Sequence, residues 1–561
     1  MLTALRLGNF KAFADTQQIP IRPLTLIFGA NSSGKSSLIH GLLLSKEALE
    51  GREPTLDIYR TDAGGDSVDL GGFRQYVHRR ETGRRIEWAA EISVASLKGR
   101  LAERLASVNK AMVSVTIGLE LDNEGNPVPG AQPAVDSYEL EADGVSLLRM
   151  SRRRDGALRL DRLAHDHPVF REVLKAVVET ATTTESLKQS DLEDLSEVIA
   201  ELVPEITASA ERLLPHGVLR AEEPVPDIGQ MALFPVSRGR RKEDLADAVR
   251  FFLPRTLDEI IRGLSDTVAS ELARLRYLGP LRSYPPRHLA FSQYHDPNWF
   301  AGGGYAWDVV RRNERVRKAV NEWLGSAERL QTPYEMVVRE LVGIDQLESP
   351  IVQGIEQIEI DIVEEGHEGG EYQGKDYDPE PAVWGIKDPQ AEAVRLQDEI
   401  RAANIDKLQE LILIDRRTNT VVSHRDVGIG VSQVLPVLVA AYASTGKILA
   451  MEQPEIHLHP KLQAELGDVF IQSALGEQQN TFILETHSEH LILRILRRIR
   501  ETTDGELEPG LIPIRSEHVT VLYVLSDKNG AKAIEIPIRP DGEFAEHWPQ
   551  GFFAERAKEL F

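Results

Sequence analysis

The sequence contains no cysteine. Disulfides, thiolate zinc sites and cysteine nucleophiles are therefore excluded, and a reducing compartment is compatible. Long hydrophobic runs are missing too. The longest, around Val434–Ala441, is too short to span a bilayer. The start, Met1-Leu2-Thr3-Ala4-Leu5-Arg6-Leu7, has no signal-peptide apolar core. The expectation is a cytoplasmic chain with no membrane partner. Positive charge is in deficit: 65 Lys and Arg against 88 Asp and Glu leave a net charge of −23. That argues against a surface coated for DNA, while leaving room for a local basic groove. No repeat of solenoid period is present. What remains is an ordinary globular composition, 42% hydrophobic and 27% charged over 561 residues, long enough for ~3–4 domain-sized units.

The most informative stretch is Gly29-Ala30-Asn31-Ser32-Ser33-Gly34-Lys35-Ser36-Ser37, which fits G-x-x-x-x-G-K-[ST]. Leu24–Phe28 before it has a buried-strand pattern, and Leu38–Leu44 after it reads as a helix. In that setting the glycines let backbone N–H groups turn inward around phosphates, and the helix N-terminus adds partial positive charge. Lys35 is expected on the β- and γ-phosphates of ATP and the Ser36 hydroxyl on Mg²⁺. The bland alternative is a chance Gly/Ser turn.

Around this motif, residues 2–13 alternate as a first strand, and a second lies near Gln18–Ile21. From about 91 to 276, strand-like runs (Val113–Leu121, Ser137–Glu141, Val145–Met150) precede helical stretches near 167–180, 191–213 and 256–275. Thr256-Leu257-Asp258-Glu259 reads as a capping box opening the last helix. Tyr277–Arg282 reads as a core strand leaving into a loop. Residues 354–381 are rich in acid and glycine, a solvated hairpin or a docking loop. The expected organisation is 1–90, an N-terminal ATPase part; 91–276, an insertion; 277–409, a core strand, helices and acidic loop; 410–525, a C-terminal ATPase part; and 526–561, a small terminal segment.

A P-loop needs a strand beside its own, ending in a carboxylate that orients Mg²⁺. Lys447–Met451 followed by Glu452-Gln453-Pro454-Glu455 fits, with Glu452 as the metal-side acid; a surface turn is the alternative. Thr481–Leu484 is another buried strand, ending in the polar cluster Glu485-Thr486-His487-Ser488. The carboxyl edge of an open α/β sheet is where ligands bind. Asp426–Gln433, with Gly428, Gly430, Ser432 and Gln433, precedes an apolar helix and offers a second anion site, or a plain N-cap. His457 and His459 have no cysteine nearby, which argues against zinc.

These pieces, in this order, resemble the ABC-type heads of the SMC, RecF and OLD proteins. Glu452–Pro460, Glu485–Ser488 and Gly428–Gln433 resemble the motifs of one prokaryotic subgroup of AAA-type ATPases, and Trp548–Arg556 is similar to that subgroup's small C-terminal domain. The resemblance implies an α/β P-loop NTPase with an ABC-type head, a mixed sheet with flanking helices, interrupted by a large α+β or helical insertion. It implies a homodimer or higher homo-oligomer around ATP and Mg²⁺, with Gly430, Ser432 and Gln433 capping the partner subunit's γ-phosphate and His487 as the switch histidine. Many such heads carry a glutamate after the metal-side acid; here that place holds Gln453, which can hold water but not take its proton, leaving Glu455 as a possible substitute. Gln75 is a candidate for the Mg²⁺-sensing glutamine.

Two roles follow. One is an ATP-driven switch, slow in turnover, regulating a partner effector such as a nuclease or toxin from a neighbouring gene in prokaryotic anti-phage defence. The other is a DNA-repair or chromosome-maintenance ATPase that grips nucleic acid itself, through Arg152–Arg154, Arg238 with Arg240–Lys242, and Arg494, Arg497, Arg498 and Arg500. These clusters also suit solvated faces. A transporter ATPase fits poorly with the insertion. After His487 no Asp-x-Asp pair ends a strand, so no nuclease domain is expected in this chain.

Overall fold

The computed structural model describes residues 1–51, 55–181, 188–210, 212–220, 241–282, 298–326, 329–342, 360–364, 383–386, 388–402, 407–422, 429–546 and 548. The chain opens with strands β1 (Leu2–Gly8), β2 (Gln17–Pro20) and β3 (Leu24–Gly29), then helix α1 (Lys35–Glu50). Seven strands follow: β4 (Ile86–Ser93), β5 (Lys110–Gly118), β6 (Ala134–Ala142), β7 (Val145–Arg152), β8 (Leu158–Leu163), β9 (Ile206–Ser209) and β10 (His216–Arg220). Helices α2 (Pro168–Ala181) and α3 (Gln189–Leu202) lie between β8 and β9, and α4 (Arg241–Ala273) leads to β11 (Leu275–Leu278).

These strands do not form a unit set apart from β1 and β2. Among the described residues, β1, β2 and β4–β10 make one nine-stranded antiparallel sheet in the order β10-β9-β8-β7-β6-β5-β4-β1-β2. β1 pairs directly with β4, Leu5 opposite Ala90. The β6–β7 hairpin closes through Asp143 (φ 45) and Gly144 (φ 82). Two successive left-handed residues are what a two-residue hairpin turn requires. The helix expected over 191–213 stops at Leu202 and gives way to β9 and β10. Nor does Thr256 cap a helix start. Helix α4 runs through Pro254, and the Thr256 hydroxyl donates to the Phe252 carbonyl one turn back, 2.9 Å away. Burial of Phe252, Leu253 and Leu257 in the core outweighs the missing proline N–H.

The second half of the chain builds β12 (Tyr334–Val342), β13 (Ile360–Glu364), β14 (Val383–Ile386), β15 (Lys407–Asp415) and β16 (Thr420–Val422) into two small antiparallel sheets. Apart from β13, the acidic stretch 354–381 lies outside the described residues, as do Gly428, Arg238 and Arg240. Helix α5 (Ile429–Ala443), β17 (Ile448–Glu452), α6 (Pro460–Leu475), β18 (Thr481–Glu485), α7 (Glu489–Asp504), β19 (Val519–Asp527) and β20 (Gly530–Glu535) complete the fold.

The sheet that positions the P-loop has six strands, β11-β17-β18-β3-β19-β20, all parallel except β20. β3, β17 and β18 are buried along their whole length, as parallel strands covered on both faces are. Their side chains alternate between two cores. Leu24, Leu26 and Phe28 face α5–α7, while Ile27 faces α1 and the nine-stranded sheet. Helix α1 is held between the sheets: a Cβ on Gly41 would lie 2.3 Å from Leu7 Cδ1 of β1. The strand carrying Glu452 is not beside the P-loop strand, contrary to expectation; β18 lies between them and supplies Glu485 in register with Glu452. At the far end of the chain, Trp548 sits edge-on to Phe28, Tyr523 and Phe544, ring centres 5.3, 5.7 and 5.0 Å away.

Candidate functional site

The P-loop is shaped by two glycines that admit no side chain. Gly29 (φ 149) ends β3, and a Cβ there would lie 2.5 Å from the Val524 carbonyl oxygen. Gly34 (φ 103) precedes α1, and a Cβ there would lie 2.4 Å from that of Ala12. The turn between β1 and β2 therefore presses directly on the P-loop. Asn31 and Ser32 are exposed, Ser33 and Ser37 buried, and the Ser33 hydroxyl has no hydrogen-bond partner.

Lys35 begins α1 and is folded back on the loop. Its Nζ donates to the Ala30 and Gly29 carbonyls at 2.8 and 3.2 Å and lies 3.8 Å from Glu485 Oε1. Ser36 follows. Its hydroxyl donates to Glu485 Oε2 at 2.7 Å and lies 3.5 Å from Glu452 Oε2. Two buried carboxylates thus converge on one hydroxyl. Among the described residues Lys35 is the only lysine or arginine within ion-pair distance of either. Burial and the Glu485 charge push the Glu452 carboxyl up to about 7, and burial raises Glu485 as well. Burial lowers Lys35. An all-oxygen donor set with uncompensated negative charge fits a hard divalent cation such as Mg²⁺. Ser36, Glu452 and Glu485 would hold it.

Beyond Glu452 the backbone turns sharply, with Gln453 at φ 45 and His457 at φ 63. The Gln453 N–H donates to the Glu485 carbonyl at 2.7 Å. Glu455 is 6% exposed. Its Oε1 accepts the His487 backbone N–H at 2.8 Å, while Oε2 is buried without a partner. Burial raises the Glu455 carboxyl. His487 is half-buried; desolvation and the nearby Lys35 charge lower its imidazole. His459 caps α6, accepting from the Lys461 N–H.

The signature residues connect to the Glu452 turn through Arg282. Its guanidinium is buried and donates to the carbonyls of Gln433, Glu452 and Gln453 at 3.0, 3.0 and 3.1 Å. Gln433 Nε2 donates back to the Arg282 carbonyl at 3.0 Å. Burial pushes the guanidinium down to about 10. Gly430 abuts the His457 carbonyl, and Ser432 is 1% exposed. Ser432 and Gln433 are both buried in this arrangement.

Several groups at this site were not singled out by motif. The Tyr277 hydroxyl donates to Glu452 Oε1 at 2.8 Å. His40 Nε2 lies 3.8 Å from the same oxygen, and Lys11 Nζ lies 2.7 Å from His40 Nδ1. Burial pushes Lys11 down to about 8, and burial with the adjacent ammonium pushes His40 down to about 3. Spacing carries one usable signal: Ser36 and His40 are four apart, so they share a face of α1. Gln75 is exposed on the short helix Phe73–Tyr76.

The basic residues on α7 are largely tied up within the chain. Arg494 binds Glu465 and Asp468, Arg498 binds Asp468 and Glu501, and Arg497 binds Glu501. Arg153 pairs with Asp161, and Arg241 with Asp191. No helix among the described residues is long and apolar enough to cross a membrane.

Residues 304–494, about a third of the chain, match the family described as "AAA domain, putative AbiEii toxin, Type IV TA system". The matched span includes Glu452 and His487 but not the P-loop. No curated protein matches the chain. Among solved structures, the SMC head bound to the C-winged helix domain of ScpA aligns at 11% identity, over 96% of this chain and 98% of its own, with a TM-score of 0.32. The SMC head with an extended coiled coil bound to the C-terminal domain of ScpA, from Pyrococcus furiosus, aligns at 10% identity over 100% and 98%, TM-score 0.32. The SMC head domain from Thermotoga maritima aligns at 9% identity over 96% and 99%, TM-score 0.30. At TM-scores of this size nothing about the present chain follows from them.

Proposed function

We propose that this chain is an ATPase switch that binds Mg-ATP, hydrolyses it slowly, dimerises head to head on ATP, and in doing so regulates a partner effector in prokaryotic defence. The observation that carries the nucleotide reading is the convergence of Glu452 and Glu485 on Ser36, directly beside the P-loop lysine. In this reading Lys35 swings from the Gly29 and Ala30 carbonyls onto the β- and γ-phosphates, and the P-loop N–H groups cradle them. Ser36, Glu452 and Glu485 hold Mg²⁺, which when bound neutralises charge on the phosphate oxygens. Gln453 orients water without accepting its proton, and His487 lies near the γ-phosphate. What supports the defence setting is the matched family's description, which names an AbiEii toxin and a Type IV TA system. The dimer role of Ser432 requires the start of α5 to be uncovered, since that residue is 1% exposed here.

Calorimetry and light scattering test this reading together. ATP with Mg²⁺ binds the parent and brings two chains together, and ADP does not. Lys35→Ala loses both responses, because it removes the point charge on the phosphates. Tight ATP binding by Lys35→Ala, or a mass that ignores nucleotide, would sink it.

A further inference from the structure

We propose that Lys11 and His40 form a positioning dyad that orients Glu452 for its cation. The inference rests on the Mg-ATP reading above and concerns residues that no motif of that reading includes.

The chain of contacts is short. Lys11 Nζ lies 2.7 Å from His40 Nδ1, and His40 Nε2 lies 3.8 Å from Glu452 Oε1. An ammonium has only donors to offer, so Nδ1 accepts and the ring proton sits on Nε2, the nitrogen that faces the carboxylate. Tyr277 donates to the same oxygen at 2.8 Å. The two oxygens of Glu452 are thereby made unequal. Oε1 accepts from the hydroxyl of Tyr277 and faces the ring N–H of His40 at 3.8 Å, longer than a hydrogen bond, while Oε2 points to Ser36. One oxygen is fixed by neighbours and the other is left for the cation.

The dyad is held as a rigid part of the site. His40 projects from the same face of α1 as Ser36. Lys11 sits in a left-handed conformation (φ 46) in the turn between β1 and β2. Its N–H donates to the Tyr76 carbonyl at 2.7 Å, and its carbonyl accepts from His78 Nδ1 at 2.8 Å. The next residue, Ala12, packs on Gly34. The ammonium is therefore carried by a clamped backbone in contact with the P-loop. A lysine and a histidine that merely satisfied each other would not need to sit beside Glu452. Outer partners that orient a metal-binding group typically account for ~10–100-fold in metal affinity or activity.

The test compares the parent with Lys11→Met, His40→Leu and His40→Gln. Folding is checked by thermal melts without ligand. ATP binding is measured by calorimetry first in EDTA and then across a Mg²⁺ titration. The expected result is metal-free ATP affinity within about 2-fold of the parent for all three. The Mg²⁺ concentration giving half of the metal-dependent gain should rise ~10–100-fold in Lys11→Met and His40→Leu. His40→Gln, whose amide N–H can reach the place of Nε2, should recover most of the loss. An unchanged Mg²⁺ requirement overturns the dyad, and so does an equal loss of metal-free ATP affinity. If His40→Leu does not fold, Lys11→Met decides, because its side chain lies outside α1. A parent that shows no Mg²⁺-dependent ATP binding brings down the Mg-ATP reading itself, a different failure.

Discussion

Gln453 and Glu455 divide the question of turnover between them. Glu455 is closed off: one oxygen accepts the His487 N–H and the other is buried. It braces the loop that carries His487. Gln453 is half-buried, pinned by its own backbone at φ 45, and has no proton-accepting group. We expect Gln453→Glu to raise steady-state phosphate release by ~10²-fold, the low end of what a general base contributes. A rate unchanged by Gln453→Glu but abolished by Glu455→Gln would assign the base to Glu455 instead. Glu452 makes a prediction about pH. Its carboxyl is raised from 4.5 to about 7 in the folded chain, so the folded state holds this proton more tightly than the unfolded one. The stability it contributes is fully present below 4.5 and is lost as pH rises through about 7. Without metal, Glu452→Gln should gain melting temperature relative to the parent as pH rises from 4.5 to about 7, with no further gain above that. Over its full span the effect is on the order of 3 kcal/mol. A constant difference between the two proteins across that range would contradict it. Lys35, Ser36 and Glu452 were legible in sequence because each belongs to a local pattern of strand, loop and helix. Tyr277 and Arg282 were not. They reach Glu452 and Gln433 from 175 and 151 residues away, and no local period encodes such a meeting.

At the scale of elements, α6 and α7 are joined by ion pairs that the sequence alone presents as a basic patch. Arg498 grips Asp468 with two nitrogens, at 2.8 and 2.9 Å, and Arg494 adds Glu465 at 2.8 Å. Bidentate pairs of this kind are the stronger sort, and Arg498 is buried. Asp468→Ala leaves two arginines short of their acid and should destabilise by about 2 kcal/mol, discounted because Asp468 is partly exposed. Urea denaturation measures it, and a loss below about 0.5 kcal/mol would mean the network is incidental. Helix identity was readable from apolar stripes such as Leu257, Ile260, Ile261 and Leu264. Helix ends were not. Thr256 and Glu259 carry the residue types of a cap, yet tertiary burial runs α4 a further fifteen residues toward the N-terminus, starting at Arg241.

For the whole molecule, the strands were legible from their alternation but their partners were not. β1 finds β4 across Leu2 and Ile92, and only the assembled sheet shows that the strands from 86 to 220 continue β1 and β2. Net charge sets the sign of a further expectation. Two chains of −23 repel before they touch, so raising salt from about 50 to about 300 mM should strengthen ATP-dependent dimerisation through screening. A DNA-gripping protein shows the reverse, losing affinity for its ligand as salt rises. Light scattering and a DNA-binding assay run over the same salt series separate the two roles. Dimers that fall apart in added salt would favour attraction between local charged patches.

Trp548 gives the chain an optical handle. The indole lies edge-on to Phe28, the residue before Gly29, and six tryptophans are present in all. Any shift of the P-loop strand on filling the site changes the surroundings of this one fluorophore from its buried side. The difference spectrum between the parent and Trp548→Phe isolates its emission from the other five. Titrating Mg-ATP into both should move that difference and leave the Trp548→Phe signal nearly flat, so that occupancy can be followed in real time without a label.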